Sequence, residues 1–522
     1  MMKKFVSLLC LPVLCVGMLF GLTGCSKEDP AKTLYVELSN KGFGTAWIDP
    51  LIEIFEAEHP GITVKKSQMT NKDQAMIDKV TSGSTYLDIV FPENDSVFMS
   101  YNQSVIANGV RYDSPYADLT DIYEAKVPGE NITLKEKMDP SYREKSKFIV
   151  DGKEKYYTVP WIQSPLGIVM NNKVYKESFG KLPNTTDEFL VFCENLPAGV
   201  TPCIHAVETS YWDDMHDVWM TQYNGRENQK KFYEGYAICG EQEGERYVPA
   251  MFDDDGLRVT LEFLEKLLDP AKGYMHSDSS LDFTSVQNVF LEGKKNILFM
   301  PNGAWLEREM SANYSPDELD IRYIKVPIIS ALGTKLGITD GELSAIIDFV
   351  DGTTATEPQF ASTKGVPNAD VIAAVREARN MTPSISQHHA IVPSYSSKIG
   401  LAKEFLQLMA TDRGMEAMLK KCGSCAPYKY DITKSPVKDE ISPFMYETNL
   451  LAEKGYCFFK KDKLFIMNSL QLENGITGRI SARLASPDAG YHMTAEEIME
   501  TSVAYVSQMW PSYMNKIGGG AA

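Results

Sequence analysis

Thr33-Leu-Tyr-Val-Glu-Leu38, Ile62-Thr-Val-Lys-Lys66 and Tyr86-Leu-Asp-Ile-Val-Phe91 are three short runs within about sixty residues, each carrying β-branched or aromatic side chains. The first alternates apolar and polar residues, as a strand with two different faces does; the last is almost wholly apolar and reads as a buried strand. Trp47, Leu51, Ile54 and Phe55 recur at helical spacing between the first two runs, and His59-Pro60-Gly61 stops that helix. Lys72 to Thr81 reads as a second helix, placed before the third strand. Strand, helix, strand, helix, strand predicts a parallel sheet with crossover helices, because parallel neighbours need a long return that a helix supplies. A Gly-rich loop, Ser39 to Thr45, leaves the first strand.

The same alternation resumes further on. Tyr156-Tyr-Thr-Val-Pro160, Gly167-Ile-Val-Met-Asn171 and Asn296-Ile-Leu-Phe-Met300 are strand-like, and Thr186 to Asn195, Gly256 to Leu268 and Phe283 to Glu292 are helical. Asp253-Asp-Asp255 precedes the second of these helices, where negative charge is favoured, and reads as its cap rather than as a calcium loop. Residues 331–385 read as irregular and polar, apart from a helix around Asp370 to Ala378. Gly400 to Ala410 and Thr494 to Met514 close the sequence as helices. A chain of 522 residues exceeds what one hydrophobic core holds, so two α/β lobes are expected.

The first residues have a separate logic. Met1-Met2-Lys3-Lys4 is a short positive segment, Phe5 to Phe20 is uncharged and apolar, and Leu22-Thr23-Gly24-Cys25 follows directly. This is the layout of a cleaved export signal, too short for a spanning helix. Its ending resembles the lipobox of bacterial lipoproteins, which implies loss of residues 1–24, a diacylglycerol on Cys25 and a tether over 25–32. The formal charge of −18, more negative once Lys3 and Lys4 are gone, argues against nucleic acid as a partner. Cys193 and Cys203 are close enough in sequence to pair, and Cys422-Gly-Ser-Cys425 has the spacing of a redox or zinc half-site. No second such pair or nearby histidine completes a zinc set, so buried thiols, no metal and no cofactor are expected.

Several segments, in order, resemble the extracellular solute-binding proteins of ABC importers, the maltose-binding-protein-like family. They are Phe55-Glu-Ala-Glu-His-Pro-Gly-Ile-Thr-Val64, Gly83-Ser-Thr-Tyr-Leu-Asp-Ile-Val-Phe91, Gly152-Lys-Glu-Lys-Tyr-Tyr-Thr-Val-Pro-Trp161 and Leu182-Pro-Asn-Thr-Thr-Asp-Glu-Phe189. Phe290-Leu-Glu-Gly-Lys-Lys-Asn-Ile-Leu-Phe-Met-Pro-Asn-Gly-Ala-Trp305 and the stretch from His388-His-Ala-Ile-Val-Pro-Ser394 to Leu406 complete the set. Thr186 stands where the family usually has Trp, 331–385 is longer than the common pattern, and 426–475 does not align. The resemblance implies a periplasmic-binding-protein-like α/β fold, two lobes with a hinge and a ligand cleft between them. Residues 33–150 would begin lobe 1, 151–330 form lobe 2, 331–385 be an insertion and 386–430 return to lobe 1. Residues 431–522 would add helical segments, mainly to lobe 2.

In such a cleft the loops after the strands meet the ligand. A sugar needs aromatic platforms for its C–H face and directional polar groups for its hydroxyls. Asn40 and Phe43 follow the first strand, Glu93 and Asn94 the third; Trp161 follows Pro160; Trp212 and Asp213 stand together; Asn302 and Trp305 follow the strand at 296–300. These are the expected ligand-binding residues. His388 and His389 are adjacent in a strand, point to opposite faces, and read as hinge or packing residues. No Gly-x-Ser-x-Gly, His-Glu-x-x-His or phosphate loop occurs, and adjacent Asp213 and Asp214 lack the facing geometry of a glycosidase pair, so no catalysis is expected. The resemblance implies a monomer that captures an oligosaccharide on the outer face of the cell membrane and passes it to permease subunits. The rival readings are a glycan-binding surface lipoprotein not coupled to transport and an exported glycoside hydrolase.

Overall fold

The computed structural model describes residues 29–519, leaving aside 206–210, 278–280, 316–317, 385–387, 424–425 and 459–478. The signal segment and Cys25 lie outside the described residues, as does Cys425. Strand β1 (Thr33–Ser39) is the centre of a three-stranded sheet, flanked in parallel by β2 (Thr63–Met69) and β3 (Ile89–Phe91). Its alternation divides two cores. Leu34, Val36 and Leu38 join Leu51 and Phe55 of α1 (Asp49–Glu58) in one cluster. Tyr35 packs on the other side with Met76, Ile77 and Val80 of α2 (Asp73–Thr81).

A second, five-stranded sheet has the order Met275–Ser277, Thr201–His205, Ile297–Gly303, Leu166–Asn171, Ile321–Ile324. The strands Leu166–Asn171 and Ile297–Gly303 are buried at every position, which is why they read as unbroken apolar runs. Phe189 and Phe192 of the helix Thr186–Glu194 pack on Phe299 from one face. Val286 and Phe290 of the helix Phe283–Leu291 pack with Ile297 and Met300 on the other.

The chain passes between the sheets in paired segments. Val159–Pro160 pairs antiparallel with His389–Ala390, Pro165 bridges to Ser384, and the Trp161 amide donates to the His388 carbonyl at 3.1 Å. A third segment joins them where the Tyr428 hydroxyl donates to the Pro160 carbonyl at 2.9 Å. The expected cap also holds: Asp254 accepts from the Leu257 amide at 2.8 Å and starts the helix Asp255–Leu268.

Residues 331–385 depart from the sequence reading. They contain the helices Ala331–Leu336 and Asp340–Val350 as well as Asn368–Arg379. Thr339 and Glu342 form a reciprocal capping box, and Leu343, Ile346 and Ile347 recur on one face and are buried. Scattered Gly and Thr masked that short pattern. Cys193 and Cys203 are free, buried thiols, and burial pushes the Cys203 thiol well up. Among the described residues no helix is long and apolar enough to cross a membrane, and no group of three or more His, Cys, Asp or Glu could hold a metal.

Candidate functional site

Loops from both sheets and the crossing segments converge on one aromatic group. Phe43, in the loop after β1, lies 6.2 Å from Trp305, 6.4 Å from Trp161 and 5.5 Å from His388, each ring nearly perpendicular to its own. Trp161 stacks on Trp47 at 4.2 Å and meets His388 at 5.4 Å. Trp305 just follows the strand Ile297–Gly303 of the second sheet, so the contact with Phe43 joins the two sheets. Tyr211 completes the group, 5.7 Å from Trp305. Two glycines make the approach possible. A Cβ on Gly42 would come within 2.9 Å of the Trp305 indole, and one on Gly303 within 2.0 Å.

Several polar atoms here have no hydrogen-bond partner among the described residues. Glu93 Oε1, Trp161 Nε1, Asn302 Nδ2 and His388 Nδ1 are all buried and make no hydrogen bond. Buried polar groups are nearly always paired; such atoms also occur elsewhere, Tyr116 Oη and both His216 ring nitrogens among them, but here four gather beside one aromatic group. Glu93 is 3% exposed, and burial pushes its carboxyl up to about 8, with Asp73 and Glu309 adding to the rise against Lys41. His388 Nδ1 lies 3.8 Å from Glu93 Oε1, too far for a hydrogen bond. Burial, with the charge of Lys41, pushes that imidazole down to about 3.

Lys41 is held elsewhere. Its ammonium pairs with Asp73 at 2.7 Å and donates to the Glu93 main-chain carbonyl at 3.2 Å. Asp73 also accepts from the Glu93 amide at 2.8 Å. Burial would raise the Asp73 carboxyl, but Lys41 and that amide hold it below the usual carboxylate range. The backbone of Glu93 is thus pinned while Oε1 of its carboxyl has no hydrogen bond among the described residues.

The other expected residues are engaged within the protein. Trp212 is fully buried, stacks on Trp219 and donates its indole N–H to the Ile204 carbonyl at 3.1 Å. Both Asp213 oxygens accept from Ser481, from its amide and its hydroxyl, each at 2.8 Å. Burial pushes the Asp213 carboxyl up to about 6 against those bonds. Asn94 caps the turn Asp95–Met99 by accepting from the Ser96 amide at 2.8 Å, and the Asn40 side chain reaches Thr70 at 3.5 Å. Asn302 Oδ1 accepts from the Gly303 amide at 2.7 Å, leaving only its Nδ2 free. A separate cavity of about 680 Å³ lies between the helices Asp412–Cys422 and Pro443–Lys454. Its acids are already bonded, Glu416 to the Tyr430 hydroxyl, Glu453 to the Ile432 amide and Asp431 to Lys434.

Two acids whose charge reaches Glu93 escaped the sequence reading. Glu309 follows Trp305 by four positions, the spacing that puts two side chains on one helical face, and that was the signal available. Its carboxyl accepts from Gln287 at 2.8 Å and is raised by burial. Asp73, at the start of α2, has no signal in its local sequence.

The family of bacterial extracellular solute-binding proteins matches residues 39–416. Among solved structures the fold is shared with the GacH receptor of Streptomyces glaucescens, solved unliganded and with acarbose, at 14% identity and a TM-score of 0.56, over 92% of this chain and 99% of that one. RafE in complex with raffinose superposes at 15% identity and a TM-score of 0.54, over 91% of this chain and 100% of that one; its unliganded form is from Streptococcus pneumoniae. A chitin oligosaccharide binding protein does so at 15% identity and a TM-score of 0.55, over 91% and 99%. No curated protein matches by sequence. The two sheets, the paired crossing segments and a family match over most of the chain agree, and the chain belongs to the bacterial extracellular solute-binding proteins.

Proposed function

We propose that this protein captures an extracellular oligosaccharide and delivers it to the permease of an ABC importer, held at the membrane by a lipid on Cys25. The observation that carries the reading is the aromatic group of Phe43, Trp161 and Trp305 beside four buried, partnerless polar atoms. A sugar presents apolar C–H faces and a rim of hydroxyls, and this mixture of flat rings and unsatisfied donors and acceptors answers both. Loops of both sheets contribute, so ligand contacts to both would bias the hinge toward closure. The structural relatives solved with acarbose and raffinose lend the reading support.

The test is a thermal-shift screen of the full chain against oligosaccharides, peptides and polyamines. A true ligand at a hundred times its Kd adds about 2.7 kcal/mol of stability. A saturable shift with one oligosaccharide class, lost in Trp305→Ala, is expected; a shift with peptides alone sinks the sugar assignment. In the producing cells labelled palmitate should enter the chain and not its Cys25→Ala variant, and equal labelling would remove the anchor from the reading.

A further inference from the structure

Within the oligosaccharide reading, on which this inference rests, we infer that the cleft selects a saccharide bearing a protonated amine, with Glu93 as the residue that recognises the ammonium. The residue is 3% exposed, and among the described residues Oε1 has no hydrogen-bond donor. Every charged or titratable group around it has been placed elsewhere. Lys41, the cation whose field reaches it, is engaged by Asp73 and by the Glu93 main chain. His388 is buried, unprotonated at neutral pH and too distant to donate. Glu309, from the second sheet, brings a further acid whose negative field also reaches Glu93.

A neutral acid in this position is satisfied by a hydroxyl, but an ammonium does more. It turns the desolvated carboxyl into one half of a charge-assisted pair, the strong kind of hydrogen bond in a dry site. Binding then has a proton balance. The ligand arrives as the ammonium, Glu93 gives its proton to solvent, and the carboxylate and ammonium remain paired, so about one proton leaves for each amine bound below neutral pH.

The test is calorimetry of the full chain at pH 5.5, where the ligand amine is protonated, in two buffers of different ionisation enthalpy, with glucosamine oligomers, their N-acetylated counterparts, neutral glucose oligomers and spermidine. The glucosamine oligomers should bind at least about tenfold tighter than the N-acetylated ones, with about one proton released. In Glu93→Gln both the preference and the proton release should disappear. Equal or tighter binding of the N-acetylated oligomers, or no proton release from the wild-type chain, overturns the inference while leaving the oligosaccharide reading in place. Binding of spermidine but of no saccharide overturns both. The proton release is read on the wild-type protein, so the test stands even where the variant folds poorly.

Discussion

Two groupings of tryptophan and acid in this molecule, one adjacent in sequence and one assembled from distant segments, differ in what surrounds them. Trp212 and Asp213 themselves are met from within: Ile204 accepts the indole N–H, and Ser481 gives Asp213 both of its donors, although both ring nitrogens of His216, one turn along the same helix, have no hydrogen bond among the described residues. Around Trp161, Trp305 and Glu93 the burial is as deep, but the Trp161 indole N–H, one Glu93 oxygen, the Asn302 amide and one His388 nitrogen have no partner. Burial alone therefore does not separate core from site. Several unmet hydrogen bonds gathered beside one aromatic group are the better guide, because a fold gains nothing from leaving them unmet and a ligand can use them together.

The largest effect that bears on this contrast is Asp213→Ala. It strands two buried Ser481 donors and should cost about 3 kcal/mol of stability. Oligosaccharide affinity of the folded variant should stay unchanged; denaturant unfolding beside a binding isotherm checks both. A loss of affinity at full folding would move Asp213 into the site and erase the contrast.

Next is the pH dependence of Glu93→Gln. The Glu93 carboxyl is raised in the folded protein to about 8, against an ordinary value of 4.5. A raised acid binds more protons folded than unfolded, so its contribution is complete below 4.5 and is lost as pH rises through 8. Between pH 6.5 and 8 the wild-type chain should lose about 1.5 kcal/mol that Glu93→Gln keeps. His388, depressed to about 3, acts in the opposite direction, its stability being present above 6.5 and lost as pH falls toward 3, so it leaves this alkaline window alone. Parallel stability profiles for the two proteins across that window would mean that Glu93 is already paired and belongs with Asp213.

The smallest is Gly42→Ala, whose methyl would press on the Trp305 indole at 2.9 Å. Overpacking of this kind should cost about 1 kcal/mol and weaken oligosaccharide binding several-fold, since the contact joins loops of the two sheets. Normal affinity in this variant would show that Trp305 can shift without consequence for the ligand.

How far the sequence could be read differs from element to element. The strands β1 to β3 and their helices were legible because each carries its own period, and period follows from which face is buried. The helix Asp340–Val350 was equally local, with its Thr339 capping box, yet its three core residues were too few to stand out against the Gly and Thr around them. Trp305, Trp161, Phe43 and Glu93 could be nominated because they follow strands, where an α/β cleft lies. The same rule nominated Asn40 and Asn94, and the meeting of aromatic and acid nominated Trp212 and Asp213; the fold engages the polar atoms of all four internally.

The sequence by itself determined the alternation of strands and helices, the need for more than one core, the acidic surface charge and the supply of aromatic and acidic residues near strand ends. Those are properties of composition and near-neighbour spacing. Tertiary structure alone decided that Lys41 would go to Asp73 rather than to the Glu93 carboxyl, that Ser481 would meet Asp213 across 268 residues of chain, and that Glu309 would place its charge within reach of Glu93. Whether a buried polar atom is satisfied depends on partners distant in sequence, and for that reason the site became visible only when the chain was folded.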